Sequence, residues 1–413
     1  MLRYLCIVRN IVVLRYLYII YMNTLNTNYG EINIYLYELL SQGVLNKYTS
    51  TTNNTIKQIY HTIHTAIDNV PDDLSSHIKI SKKIKQKSNT ILASKFVPHS
   101  IKTYIDKTKA FETSLRFKLN NIDITVLIYD YKRYQLIYNT DSRLFLIYAW
   151  LSICLQNNKT NLKKLTIYLY QTHLIKKFPK QNHIIDVVNV NSGVSSFNHT
   201  YNHNTIIIYR REEWFKVFIH ETMHAFKFQP TQLQENKFKN IFKNSLSREV
   251  LISESYVEIW ARFITCAFAS YMQSTNLHNF NVHMKFYTNL ETLFAIFQSK
   301  RILQHMGLTY TDLISLDKSR LKTKYKEKTN VFAYYIITGV FFSNIWDTMD
   351  FFKQHNTNLL YFDSEIDTIN KFIRLYNDML NSDKLQQLYD TIDIENYKKK
   401  YGLRMSILDI LGI

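Results

Sequence analysis

Between residues 115 and 128 apolar and polar side chains alternate, with one interruption. Leu115, Phe117 and Leu119 are followed by Asn120-Asn121, after which Ile122, Ile124, Val126 and Ile128 resume the period of two. This pattern predicts two antiparallel strands joined by a tight turn, for which Asn is suited because it tolerates the left-handed conformation. Leu144, Ile147, Tyr148 and Leu151 then follow a helical period that Asp141 or Ser142 can cap, and residues 165–170 and 205–210 form short apolar runs of strand type. From residue 211 onward the spacing is overwhelmingly helical. The uncharged run 331–346 contains Thr338, Gly339, Ser343 and Asn344, and reads as a buried helix rather than a membrane span. The expected class is α+β, mostly helical, with a small sheet and a helical C-terminal subdomain.

The rest of the pattern divides the chain. Residues 45–95 are rich in Thr, Asn, Ser and Lys and predict a flexible or loosely helical region, with a solvated run at Lys79, Lys82, Lys83, Lys85 and Lys87. Ahead of Met22, an apolar stretch carries Arg3, Arg9 and Arg15. It is too charged to span a bilayer and wrongly ordered for a secretory signal, which leaves an upstream extension or a basic amphipathic leader. The expected divisions are 1–95, an apolar leader and a flexible or loosely helical basic region; 96–228, an α/β upper subdomain; and 229–413, a helical lower subdomain with a basic linker from Lys318 to Lys328. Gly193 is the only Gly between residues 44 and 306, which marks a tight turn or a close backbone approach; the turn is the preferred reading.

Composition narrows the class. With 413 residues and 46% apolar content the chain has ample core, and its 7 Gly and 4 Pro exclude collagen-like or elastic sequences. Three Cys, at 6, 154 and 266, are too few and too scattered for a disulfide framework or a thiolate metal cluster, which fits a reducing compartment. The formal charge of +18 invites a nucleic-acid reading. Lys outnumbers Arg more than two to one, however, and Asn, Ile and 31 Tyr share the same AT-rich codon bias. The charge therefore reads as background, and no specific nucleic-acid partner is expected, since phosphate readout favours Arg clusters interleaved with aromatics.

The informative chemistry lies in 211–228, REEWFKVFIHETMHAFKF. His220, Glu221 and His224 form H-E-x-x-H on a predicted helix, and a spacing of four puts both imidazoles on one face, where they can grip a single metal ion. Glu221 lies beside them, within reach of a metal-bound water. A second helical segment, SESYVEIWARFITCAF, places Glu254 and Glu258 on one face of a mostly apolar helix. Two carboxylates facing a core need a positive receiver, which a zinc ion held by two neutral histidines would provide. A solvated acidic stripe paired with Arg262 is the competing reading.

These residues resemble the gluzincin class of zinc metallopeptidases, which includes thermolysin-like enzymes and the anthrax lethal factor type. The resemblance implies zinc bound by His220, His224 and Glu254, with Glu221 as catalytic base and Glu258 orienting a ligand histidine; the roles of Glu254 and Glu258 could also be exchanged. It further implies an oxyanion donor, for which Tyr335 is the candidate, followed by Tyr334 and His203. Strand 205–210 would be the sheet edge that pairs with an extended peptide substrate, through Ile207 and Tyr209. A wider similarity over about 95–350, in NVNSG, IIIYRREEWFKVFIHETMHAF, SESYVEIWARF and TNVFAYYIITGV, is to a family of largely uncharacterised proteins of large and giant DNA viruses. That implies a host cytoplasmic or virion setting. The activity expected is zinc-dependent peptide hydrolysis, with a non-catalytic viral structural protein retaining the zinc site as the alternative.

Overall fold

A computed structural model of the chain describes residues 30–45, 50–72, 74, 79–81, 94–131, 135–243, 245, 246, 248–397 and 401–410. The proposed leader, and all of the Lys-rich run except Lys79, lie outside the described residues.

The alternating segment forms strands β2 (Phe111–Leu119) and β3 (Ile122–Asp130), paired antiparallel with Leu119 opposite Ile122. Asn120 and Asn121 have φ of 45° and 65°, the left-handed pair that a two-residue hairpin turn needs. Helix α4 (Gln135–Gln156) crosses over to β4 (Lys164–Tyr170), which is parallel to β3. Strand β6 (His203–Ile208) lies parallel to β4, and β5 (Gly193–Asn198) runs antiparallel on the outer side of β6. With β1 (Lys79–Ser81) at the far side, the sheet order is β1-β2-β3-β4-β6-β5.

The period of two sorts the strand side chains onto two faces. Ile167, Leu169, Ile206 and Ile208 join the main core, whereas Tyr170, Ile207 and Tyr209 face a smaller cluster with Val97 and Ile101, the latter from helix α3 (His99–Lys107). On the main-core face lie α4 and α6 (Trp214–Ala225), locked together where Trp150 Nε1 donates to Thr222 Oγ1. Between β4 and β5 there is one short helix, α5 (Val187–Val190).

The described residues from 232 to 391 are mostly helical: α7 (Gln232–Phe242), α8 (Ile252–Met272), α9 (Leu277–His305), α10 (Tyr310–Ile314), α11 (Ser319–Lys324), a π turn (Phe332–Ile337) running into α12 (Thr338–Ser343), α13 (Ile345–His355), α14 (Ile366–Leu380) and α15 (Asp383–Thr391). The run 331–346 is buried apart from Asn344 and Trp346, which are half-buried, and its helix breaks at Asn344. No helix among the described residues is long and apolar enough to cross a membrane. Cys154 and Cys266 are buried free thiols.

Three segments differ from expectation. Residues 50–68 form a regular helix, α2 (Ser50–Asp68), rather than a loose region, and it follows α1 (Gly30–Ser41). Ile56, Ile59, Ile63 and Ile67 recur at helical spacing and are buried in the main core, although the Thr and Asn between them dilute the signal. In the basic linker, Leu321 and Tyr325 are buried, so this stretch is packed against the body. The expected boundary after 228 falls between α6 and α7, yet one continuous apolar core runs across it, from Ile167 in the sheet to Phe372 in α14.

Residues 401–410 return to the start of α6. Glu213 Oε1 accepts from the amides of Met405 and Ser406 at 2.8 and 2.7 Å, and Glu291 Oε2 accepts from Ile407 N and Ser406 Oγ, both at 3.1 Å. Trp214 Nε1 donates to the Ile410 carbonyl at 2.8 Å. Arg404, Ser406 and Leu408 are fully buried. This irregular segment thus has its backbone polar groups satisfied by side chains rather than by a ladder, the condition for burying it at all.

Candidate metal centre

Helix α6 follows Glu213, whose φ of 58° is left-handed, and is buried along nearly its whole length. It is held between the sheet, α4 and α8, so the direction of its side chains is set by packing. One turn separates His220 from His224, and their ring centroids are 4.9 Å apart. Glu254, in the first turn of α8, faces both rings. His220 Nε2, His224 Nε2 and Glu254 Oε2 are each 3.3 Å from the other two. Ligand atoms about 2.0–2.1 Å from a tetrahedral zinc stand roughly 3.3–3.4 Å apart, so this equilateral set fits three corners of such a tetrahedron. The three side chains are 8%, 18% and 17% exposed, and a pocket lined by Gly193, Val217, His220, Glu221 and Tyr334 opens beside them.

The second acid of α8 has a different partner. Glu258 is fully buried, and its Oε2 lies 3.0 Å from His220 Nδ1, the nitrogen facing away from the triangle. Lys216, one turn before His220, bonds both Glu258 oxygens at 3.0 and 3.1 Å. Arg262 pairs with Glu291 on α9, so the reading of Glu254 and Glu258 as an acidic stripe matched to Arg262 does not hold.

Electrostatics follow from this geometry. Burial alone would raise the pKa of Glu254, but the adjacent His224 charge and the hydrogen bonds from both imidazoles hold it well below the usual carboxylate range. Burial would depress His220, yet its hydrogen bonds to Glu254 and Glu258 outweigh this and lift it to about 9. Glu254 and Glu258 thus favour a proton on His220, a positive charge that a bound cation would replace. Burial also pushes Glu221 up, against the neighbouring histidine charges and a hydrogen bond with the Ser195 side chain.

Helix α8 starts after Leu251, which offers no side-chain cap; Glu235 of α7 accepts from Ser253 N at 3.1 Å in its place. Burial raises Glu235 to about 7, in spite of its hydrogen bonds with Ser253. Because the folded value lies above the ordinary carboxylate value, its contribution to stability is complete below pH about 4.5 and declines as pH rises through about 7. Glu235→Gln is therefore expected to flatten the pH dependence of the urea midpoint between pH 5 and 8, and a slope equal to that of wild type would remove Glu235 as its source.

Sheet topology corrects the expected substrate strand. Strand β6 is bonded on both sides, by β4 and by β5, and Ile207 and Tyr209 are fully buried. Tyr209 donates its amide to Ser192 O at 2.9 Å, and its hydroxyl to Phe96 O at 2.9 Å. The edge beside α6 is β5, which precedes β6 in the chain but pairs outside it. Given the Tyr209-to-Ser192 bond and the register of Gly193 opposite Ile208, Val194 and Ser196 direct their main-chain groups at β6, while those of Gly193, Ser195 and Phe197 point outward. Gly193 is the close approach rather than a turn. A Cβ there would sit 2.7 Å from Val217 Cγ1 and 2.9 Å from Glu221 Oε1.

The proposed oxyanion donor is corrected as well. Tyr335 turns away from the site and donates to Leu403 O at 2.7 Å. Its neighbour Tyr334 lies in the site, its hydroxyl 3.0 Å from Glu254 Oε2 and its ring 5.8 Å from that of His220. Both are buried and sit in the π turn, whose wider winding shifts the helical phase, so an apolar pattern cannot tell them apart. His203 lies at the opposite end of β6 from the site and bonds Thr166 at 3.0 Å. Sequence reasoning missed Lys216; a lone Lys among WF-VFI, one turn before the first histidine, was the available signal.

No family model, curated protein or solved structure matches the chain.

Proposed function

We propose that the chain is a zinc-dependent peptidase of gluzincin type. The observation that carries this reading is the 3.3 Å triangle of His220 Nε2, His224 Nε2 and Glu254 Oε2, with Glu221 beside it and β5, an edge strand among the described residues, alongside. Three ligands of the His, His, Glu type with an open fourth position suit catalysis, whereas structural zinc sites are usually closed by four ligands, often Cys. When bound, zinc would supply Lewis acidity and bring a water molecule's pKa towards neutrality.

The chain's own groups divide the remaining work. Glu221 takes the proton of the attacking water and returns it to the leaving amine. Tyr334 donates its hydroxyl to the developing oxyanion, a role usually worth about 10²–10³ in rate. An extended peptide pairs with the outward main-chain groups of Gly193, Ser195 and Phe197, which binds backbone and confers little sequence selectivity. Glu258 holds the His220 ring through Nδ1.

Purified protein is expected to bind about one zinc per chain, and His220→Ala and Glu254→Ala to lose it. A peptide library should be cleaved by wild type, more slowly by about 10²–10³-fold in Tyr334→Phe, and within about twofold of wild type in Tyr335→Phe. Absence of zinc uptake would reject the metal centre. Stoichiometric zinc with no peptide cleaved would leave a structural zinc site and reject the peptidase.

A further inference from the structure

We propose that Lys216 is a positioning residue for His220, acting through Glu258. The inference rests on the metal-centre reading, because the atom it positions is the metal-facing nitrogen of His220.

Lys216 is 2% exposed on its side chain and has three close partners: Glu258 Oε1 at 3.0 Å, Glu258 Oε2 at 3.1 Å and Met405 Sδ at 3.2 Å. An ammonium has three N–H donors, so this set fixes its orientation. Glu258 is thereby gripped at both oxygens, and one of these also meets His220 Nδ1 at 3.0 Å. A single carboxylate bridges two side chains of the same helix, one turn apart. Of the other cations of this region, Lys176 pairs with Glu213 and Arg262 with Glu291, Arg262 reaching Glu258 only through its charge and not through a hydrogen bond. Lys216 is therefore the ammonium that holds Glu258 in place.

The geometry transmits this to the ligand atom. Without Lys216, Glu258 keeps one imidazole partner and can turn about its terminal torsion, which is broad and shallow. Nδ1 and Nε2 lie on opposite sides of the ring, so a shift of the carboxylate at Nδ1 swings Nε2 out of its 3.3 Å spacing to His224 and Glu254. Met405 brings the segment 401–410 into the same chain of contacts. Lys216 itself does not reach the triangle, so its effect passes through the orientation of His220.

The test compares zinc dissociation constants and metal-free crystal structures for wild type, Lys216→Met, Glu258→Gln and the double variant. Lys216→Met strands a buried carboxylate, so the double variant, which removes both charges, is the better-folded arm. Lys216→Met is expected to weaken zinc binding about 10–100-fold, as loss of an outer partner of a ligand histidine usually does. Its crystals should show the contact between His220 Nδ1 and Glu258 lost or split. In the Glu258→Gln background the same substitution should change zinc affinity by less than about twofold, because the connecting group is already gone. A further tenfold loss in that background would overturn the proposal, since Lys216 would then act by another route. So would an intact contact between Glu258 and His220 in Lys216→Met. If wild type takes up no zinc, the metal centre fails, while the crystals still decide whether Lys216 holds the ring.

Discussion

Peptide cleavage by Glu221→Gln is expected to fall about 10²–10⁴-fold below wild type while zinc content stays at about one per chain. The substitution preserves size, which matters because Glu221 Oε1 sits 2.9 Å from where a Cβ of Gly193 would be. An amide can keep the hydrogen bond with the Ser195 side chain and fill the same space, yet it cannot accept the proton of an attacking water. None of the three metal-facing atoms is altered. The measurement is a paired one, zinc by elemental analysis and cleavage by library digestion. Unchanged cleavage would remove Glu221 as the base, and loss of zinc together with activity would show that the carboxylate matters for the metal instead.

The second large effect concerns stability. Glu213→Ala is expected to lower unfolding free energy by about 3–5 kcal/mol, because it strands a buried partner charge. Lys176 Nζ lies 2.7 Å from Glu213 Oε2, both side chains are essentially inaccessible, and the amides of Met405 and Ser406 lose their acceptor in the same substitution. Burial would raise Glu213, but the charges of Lys176, Lys216 and Arg404 prevail and hold it at about 2. A folded value below the ordinary 4.5 means that this stabilisation is complete above pH about 4.5 and is lost as pH falls towards 2. Urea midpoints at pH 7 and pH 3 should therefore differ less in Glu213→Ala than in wild type. Equal midpoints for variant and wild type at pH 7 would show that the segment 401–410 is anchored by its other contacts alone.

Much of the candidate site was legible because its signals are local. Four-residue spacings within one helix put His220 with His224, and Glu254 with Glu258, on common faces whatever surrounds the helix. Likewise Asn120-Asn121 writes its own turn. Features that depend on distant partners were hidden. The edge of the sheet is decided by the order in which strands pair, so β5 could not be told from β6 by composition. Tyr334, not Tyr335, lies beside the histidines because a π turn changes phase inside an apolar run. The Ile spacing of α2 was present in the sequence but was masked by the Thr and Asn around it. Lys216 drew no reading from the sequence, since nothing in its own segment announces that Glu258 lies opposite.

The return of residues 401–410 to α6 also bears on the order of assembly during synthesis. The amides that satisfy Glu213 lie 192 and 193 residues beyond it, so α6 leaves the ribosome long before they do. Until then Glu213 and Lys176 must remain hydrated, and Lys216 lacks Met405, while the helix that carries His220 and His224 is already made. Contacts of such long sequence separation form late and slowly, because the intervening loop must first be closed. A nascent chain stopped before residue 401 would thus carry His220, His224 and Glu254, the candidate metal ligands, on an unclosed scaffold, a partly folded species open to chaperones and proteases.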